Sequence, residues 1–363
     1  MPNNAIMVLN IPEKAYGVIR MKKTTKHEET ARNIDRLVTV GAVWGRRPDR
    51  WIVPLLYESA SKKLDGSPVS LVAALRLLAE IKAGDRVLLV DQFAWYPNRP
   101  YGETDGPLGV ASLARAVRFG IGALPVLVTG PNDIEVARCT TKAAGLNVLK
   151  YSVAKEITTA VAAEVTFPCV DKDESKKIAS NMMDEYAPKA VIAVETIGPN
   201  KKGVKHSGAG YDVEEKDRLP GLEYLFYEAN ARGTLTIGII DRGNELGSGT
   251  IEEEVRRIVS YADVCQCPCG AGKACTVKAD IVFPAAISNW GAYAITAMVG
   301  YLLQKPEILQ DEDTERRMLE ACIMAGAIDG PVGRPVMSVD GVNLKAQQGF
   351  VNLLHAIVEN ALL

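Results

Sequence analysis

Four polar loops, each next to an apolar run, hold most of the residues that could move a proton or hold a cation. The first, DQFAWYPNRPYGETDGPLG from Asp91 to Gly109, carries Glu103 and Asp105 between Gly102 and Gly106, just ahead of a predicted helix. Carboxylates in that position either cap the helix or bind a metal or an ammonium group. The second is Glu195-Thr196-Ile197-Gly198-Pro199, where Glu195 ends the apolar run VIAV. Such a carboxylate is an acid/base group, a metal ligand or an acceptor for loop amides. The third, DRGNELGSG from Asp241 to Gly249, places Asp241, Asn244 and Glu245 before a predicted helix N-terminus, which attracts anions. Its glycines, Gly243 and Gly247 among them, allow backbone to approach a ligand closely. The fourth is Ser288-Asn289-Trp290-Gly291, which ends a strand and opens an apolar helix. Ser288 or Asn289 is there the N-cap, or Asn289 binds a substrate carboxylate.

Other chemistries fit less well. The third loop lacks the Gly-Lys-Ser/Thr element of a Walker loop, and its glycines have the wrong spacing for a dinucleotide fingerprint, so no nucleotide cofactor is expected. The three histidines are too few and too scattered to suggest a serine-type triad, which leaves proton transfer to carboxylates. His355, in FVNLLHAIV, reads as structural, and His27, in a charged stretch, as solvated surface. His206 lies in a long polar loop, Gly198 to Asp217, and is a candidate ligand contact.

Four of the seven cysteines, Cys265, Cys267, Cys269 and Cys275, fall in CQCPCGAGKAC. In an extended segment the first three thiols would share one side, which makes the four a candidate second metal site. C-x-C-x-C is not the usual C-x-x-C zinc spacing, and reduced loop thiols are the competing reading. Cys139, Cys169 and Cys322 read as isolated core residues.

The elements that must position these loops alternate. Strands are expected at Arg86–Val90, Pro125–Thr129, Asn147–Tyr151, Ala190–Glu195, Thr234–Ile240 and Ile281–Ile287. Helices fall between them, including Leu108–Phe119, Asp173–Glu185, Leu222–Ala231 and Thr250–Tyr261, the last with Thr250 and Glu253 spaced as a capping box. Helices near Trp290–Gln304, Thr314–Ala325 and Leu344–Leu362 close the chain. Three earlier ones, near Glu28–Val40, Asp49–Lys63 and from Ser67, form a helical lead-in. This pattern predicts an α/β fold: a mainly parallel sheet flanked by helices in three layers, Rossmann-like, with ligands beyond the carboxyl ends of the strands. We expect residues 1–84 to pack as a helical region on an α/β catalytic domain, 85–363, in one continuous unit.

A net charge of −2 with no dominant basic patch argues against nucleic acid; the lysines at 22, 23 and 26 and at 201, 202 and 205 read as surface charge. The most membrane-like stretch, Ala286–Leu303, is interrupted by Ser288, Asn289, Gly291 and Gly300 and reads as a buried helix. No secretory leader is visible, and an odd cysteine count suits a reducing compartment. The expectation is a cytoplasmic enzyme with a small-molecule substrate and no membrane partner; homo-oligomerisation is left open.

Together the loops resemble the D-glutamate cyclase-like C-terminal domain family. Glu103-Thr104-Asp105-Gly106-Pro107 matches a family element, as do Asp241 to Gly249, Ser288-Asn289-Trp290-Gly291 and Val339-Asp340-Gly341, in order from about Ile34 to the C-terminus. The resemblance implies conversion of D-glutamate to 5-oxo-D-proline with loss of water, assisted by a divalent metal, manganese by analogy. It implies Asp241, Glu245 and Glu195 as acid/base or metal-binding groups. Asn244, Arg242, Ser288, Asn289, Glu103, Asp105, Gly243 and Gly247 would line the substrate. Two positions depart from the family: its strand-end Glu-Arg is Glu195-Thr196 here, and its Asp-Gly-Gly-Asn-Glu is Asp241-Arg242-Gly243-Asn244-Glu245. These changes make a hydrolase of cyclic amides (lactam, hydantoin or imide) the competing enzyme, and a non-catalytic small-molecule binder is the third reading.

Overall fold

The computed structural model describes residues 25–40, 51–92, 94, 99–213 and 219–363. The whole lead-in before Thr25 with the lysines at 22 and 23, the expected helix start at Asp49, and parts of the first polar loop and of the Gly198–Asp217 loop lie outside the described residues.

Seven strands build one sheet: β1 (Arg86–Gln92), β2 (Leu124–Thr129), β3 (Asn147–Lys150), β4 (Val161–Thr166), β5 (Ala190–Thr196), β6 (Leu235–Ile240) and β7 (Ile281–Pro284). Their order is β3-β4-β2-β1-β5-β6-β7, and every pairing is parallel. Parallel strands need crossovers, and the crossover helices cover both faces, which explains the unbroken apolar runs of β2, β5 and β6. Alternation along β1 divides the core: Val87 and Leu89 enter the larger apolar cluster, Leu88 and Val90 the smaller one on the opposite face.

The larger cluster centres on the helix Ser288–Leu303, which is buried from Ser288 to Tyr301. That burial accounts for an apolar run with no polar face. No described helix is long and apolar enough to cross a membrane. The N-terminal helices Thr25–Val38, Val53–Lys62 and Val69–Glu80 place Ile34, Leu56 and Leu77 in the same core.

Several expectations are corrected. β4 replaces what periodicity leaves as an unstructured stretch before the helix Lys172–Tyr186. Its VAAEVT sequence is short and carries Glu164, whose buried charge is held by Arg138 at 2.5 Å and Lys150 at 2.9 Å. The helix expected from Thr250 starts as a 3-10 turn, Gly249–Ile251, before Glu252–Ile258. Thr250 is no cap there: its hydroxyl donates to the carbonyl of Ala279 and accepts from the Ala279 amide. The helix after Pro107 ends at Arg115 and widens into a π turn, Ala116–Ile121, closed by Gly122 at φ 82°. His27 meets the Tyr301 hydroxyl at 2.9 Å rather than standing in solvent. Cys139 and Cys169 are only partly buried, whereas Cys322 is a core residue.

β1 sits in the middle of the sheet. The chain leaves it toward β2 on one side, while β5 and β6 lie on the other. The connections therefore part at the carboxyl ends of β1 and β5, where a crevice opens in such folds.

A buried carboxylate cluster as candidate active site

Three strand ends deliver acids to that crevice: Asp91 from β1, Glu195 from β5 and Asp241 just after β6. The β1–β5 register runs Asp91 opposite Val194, then Gln92 opposite Thr196, so Glu195 is an extra, bulged residue. Its φ is +46°, a left-handed conformation that side chains rarely adopt. Bulges re-aim side chains at active sites, and the Thr196 hydroxyl secures this one by donating to the carbonyls of Val90 and Val194.

The first polar loop brings Asp105 over the same point. Gly106 lets it do so: at φ +107°, a Cβ there would stand 2.4 Å from Asp91 Oδ1. Asp105 accepts from the amides of Ser288 at 2.9 Å and Asn289 at 2.8 Å, satisfying the N-terminus of the long buried helix. Asp105 thus is a cap, but of a helix 183 residues away rather than of the one that follows it. The Ser288 hydroxyl donates to Glu195 Oε2 at 2.5 Å.

The result is a trio. Asp105, Glu195 and Asp241 each place one carboxylate oxygen within 4.8 Å of the others, and all three are buried. Burial drives all three carboxyls well above their ordinary range, and the neighbouring acids push them further the same way. Glu245 is raised too, by burial first; hydrogen bonding with Asp241 and the charge of Lys273 act against the rise. Asp91 Oδ1, Asp241 Oδ1, Glu245 Oε2 and Asn244 Oδ1 are buried with no hydrogen-bond partner. Buried orphan oxygens are costly and call for a proton or a cation. The donor set is all oxygen, the chemistry that suits magnesium, manganese or calcium, so these residues fit a hard divalent ion.

The loop after β6 is laced to the loop after β5. Leu246 N donates to the Thr196 carbonyl, Gly198 N to the Asn244 carbonyl, and Asn244 Nδ2 to the His206 carbonyl at 3.0 Å. Glu245 accepts from the Arg242 amide at 3.2 Å. The Arg242 guanidinium reaches Asp241 at 3.1 Å and Asp340 at 2.8 Å, so it lies beside the trio as a cation.

Other sequence-predicted residues take different work. Gly247 packs on Gly238 of β6, where a Cβ would come within 2.8 Å of the Gly238 Cα, and Gly243 packs on Val255. Both glycines serve close packing within the protein, Gly247 against backbone and Gly243 against a side chain, rather than an approach to a ligand. Asn289 accepts from the amides of Gly106 and Gly109 and donates to the Thr104 carbonyl, which commits its amide to the protein. With Asp105 on the Ser288 and Asn289 amides, that helix N-terminus is filled and does not offer a place for a substrate carboxylate. Glu103 pairs with Arg99 at 2.5 Å, outside the trio. Asp91 and Lys273 are not among the residues the sequence singles out, and Asp340 stands out there only within Val339-Asp340-Gly341. Asp91 carried the same signal as Glu195, a carboxylate closing an apolar strand.

The cysteines divide. Cys265, Cys267 and Cys269 converge with His206, all four donor atoms lying within 4.8 Å of one another. Cys275 is not among them: it is fully buried, and its sulfur accepts from the Val277 amide. Nor is the segment extended; Cys265 to Cys269 run through bends and a turn.

The profile of the D-glutamate cyclase-like, C-terminal family matches residues 58–355. Among curated proteins, the mitochondrial D-glutamate cyclase of Homo sapiens is 32% identical over 114 residues. That match takes in 31% of this chain and 17% of the human protein's length.

Proposed function

The chain belongs to the D-glutamate cyclase-like, C-terminal family, and on that premise we propose that it is a metal-assisted lyase. It would close an amino acid onto its own side-chain carboxyl, D-glutamate giving 5-oxo-D-proline and water. The observation that carries this reading is the convergence of Asp105, Glu195 and Asp241 with orphaned oxygens at the parting of β1 and β5.

In the reaction the amine attacks the γ-carboxyl carbon. A C–N bond forms, a C–O bond breaks, and two protons leave nitrogen as the departing oxygen takes up two to become water. Asp105, Glu195 and Asp241 would hold the divalent ion, manganese by family analogy. When bound, that ion supplies Lewis-acid polarisation of the γ-carboxyl and neutralises charge on the departing oxygen. Glu245, whose Oε2 is unpartnered, is assigned the proton transfer from the amine. The Ser288 hydroxyl fixes the Glu195 carboxylate, and Arg242 faces the substrate's α-carboxylate. A buried, oxygen-lined site strengthens each of these interactions by excluding water.

The test is incubation of the purified chain with D-glutamate and Mn2+ and chiral detection of 5-oxoproline, with L-glutamate and a panel of cyclic amides in parallel. D-specific cyclisation supports the reading. Ring-opened products without cyclisation would favour the cyclic-amide hydrolase, and ligand retention without turnover would favour a binder.

A further inference from the structure

We propose that His206, Cys265, Cys267 and Cys269 bind a single zinc ion, a structural site separate from the carboxylate trio. The spacing suits a four-coordinate shell, with all four donor atoms within 4.8 Å of one another. Cys265 Sγ lies 3.5 Å from Cys267 Sγ and 3.3 Å from Cys269 Sγ; His206 Nε2 lies 3.2 Å from Cys267 Sγ and 3.5 Å from Cys269 Sγ. Zinc–sulfur bonds of about 2.3 Å at tetrahedral angles set thiolates about 3.8 Å apart, close to these separations. A cluster of several irons would spread its thiolates over different metal atoms, whereas here all four donors lie within 4.8 Å of one another.

The surroundings are those of a ligand shell. His206 Nδ1 lies 3.1 Å from the Val204 carbonyl, which can only accept, so Nδ1 carries the proton and Nε2 turns its lone pair toward the sulfurs. The Cys269 sulfur accepts from the Ala271 amide and from Asn200 Nδ2, each at 3.5 Å. Gly272, at φ +76°, allows the turn to close: a Cβ there would stand 1.9 Å from the Ala262 carbonyl oxygen. Three soft sulfurs and an imidazole select zinc over manganese, so the chain carries a soft site beside a hard one.

The zinc would staple the loop after β5 to the segment 265–275. That staple reaches the carboxylate loop: the His206 carbonyl holds Asn244 Nδ2, and Cys275 N donates to the Gly243 carbonyl at 2.9 Å. None of the four ligands is assigned to the reaction, so the site stands or falls apart from the cyclase reading.

Elemental analysis of the full chain, purified without chelators, is expected to give one zinc per chain. Cys267→Ser should lose it, while Cys275→Ser and Asp241→Asn keep it. Should Cys267→Ser fail to fold, cobalt exchanged into the wild type should give the absorption of tetrahedral, thiolate-bound cobalt. Zinc retained in a folded Cys267→Ser, iron with acid-labile sulfide in the purified chain, or wild type with neither stoichiometric zinc nor that cobalt spectrum would overturn the proposal.

Discussion

Asp105 and Asn289 cap each other's helices. Asp105 accepts from the amides that open Ser288–Leu303, and Asn289 accepts from Gly106 and Gly109 at the start of Pro107–Arg115, at 2.8 and 2.7 Å. The exchange locks the first polar loop to the fourth and sets Asp105 against Glu195 and Asp241. Asn289→Ala would orphan two amides and the Thr104 carbonyl, at a cost of about 2–4 kcal/mol. Urea unfolding should show a lower midpoint with an unchanged slope; a shift below about 0.5 kcal/mol would mean the caps are not structural.

In the proposed reaction the Ser288 hydroxyl acts through Glu195, to which it donates. Removing its hydroxyl should loosen that carboxylate without touching the substrate. Ser288→Ala is predicted to lower kcat about tenfold with little change in KM. A larger effect on KM than on kcat would place Ser288 at the substrate instead.

Metal binding should be proton-linked. Without a cation, the carboxyls of Asp105, Glu195 and Asp241 titrate well above the ordinary values of 3.8 and 4.5. As pH rises above those values, the unfolded chain ionises while the folded cluster keeps its protons. The metal-free protein therefore loses stability until the raised values are passed. A divalent ion needs the ionised acids, so Mn2+ should displace protons, bind more tightly as pH rises and raise Tm more at pH 8 than at pH 6. Calorimetric titration in buffers of different ionisation enthalpy checks this. Mn2+ binding without proton release would count against the trio as its ligands.

Arg242 bridges Asp241 and Asp340. If it receives the substrate's α-carboxylate, Arg242→Gln should raise KM about 10- to 100-fold while kcat falls less. A KM unchanged within twofold would reduce Arg242 to a brace for Asp340.

The sheet was legible because parallel strands covered on both faces read as short apolar runs, as in RVLLV and VIAV. β4 was not, since Glu164 interrupts it and only the tertiary partners Arg138 and Lys150 make that charge tolerable. The acids at strand ends were legible by position. Their pairing was not, because Asp105 meets Ser288 across 183 residues and the bulge at Glu195 exists only against β1. The thiols were legible as a group, but the fourth member is His206, 61 residues from Cys267, rather than the nearer Cys275. Chain separation carries no information about which donor closes a site. The glycines of the third loop pointed to close approach, and only the fold shows that Gly247 approaches β6 and Gly243 the Val255 side chain.

In the proposed reaction the Asp105–Glu195–Asp241 site expels a γ-carboxyl oxygen as the ring closes. D-glutamate labelled with oxygen-18 at both γ-carboxyl oxygens tests it most directly. With Mn2+, the wild type should give 5-oxoproline that retains one label, with the other in water. Asp241→Asn should lower the rate by at least about 100-fold while its circular dichroism stays native. Absence of labelled 5-oxoproline from the wild type, or equal rates for a folded Asp241→Asn, would contradict the account.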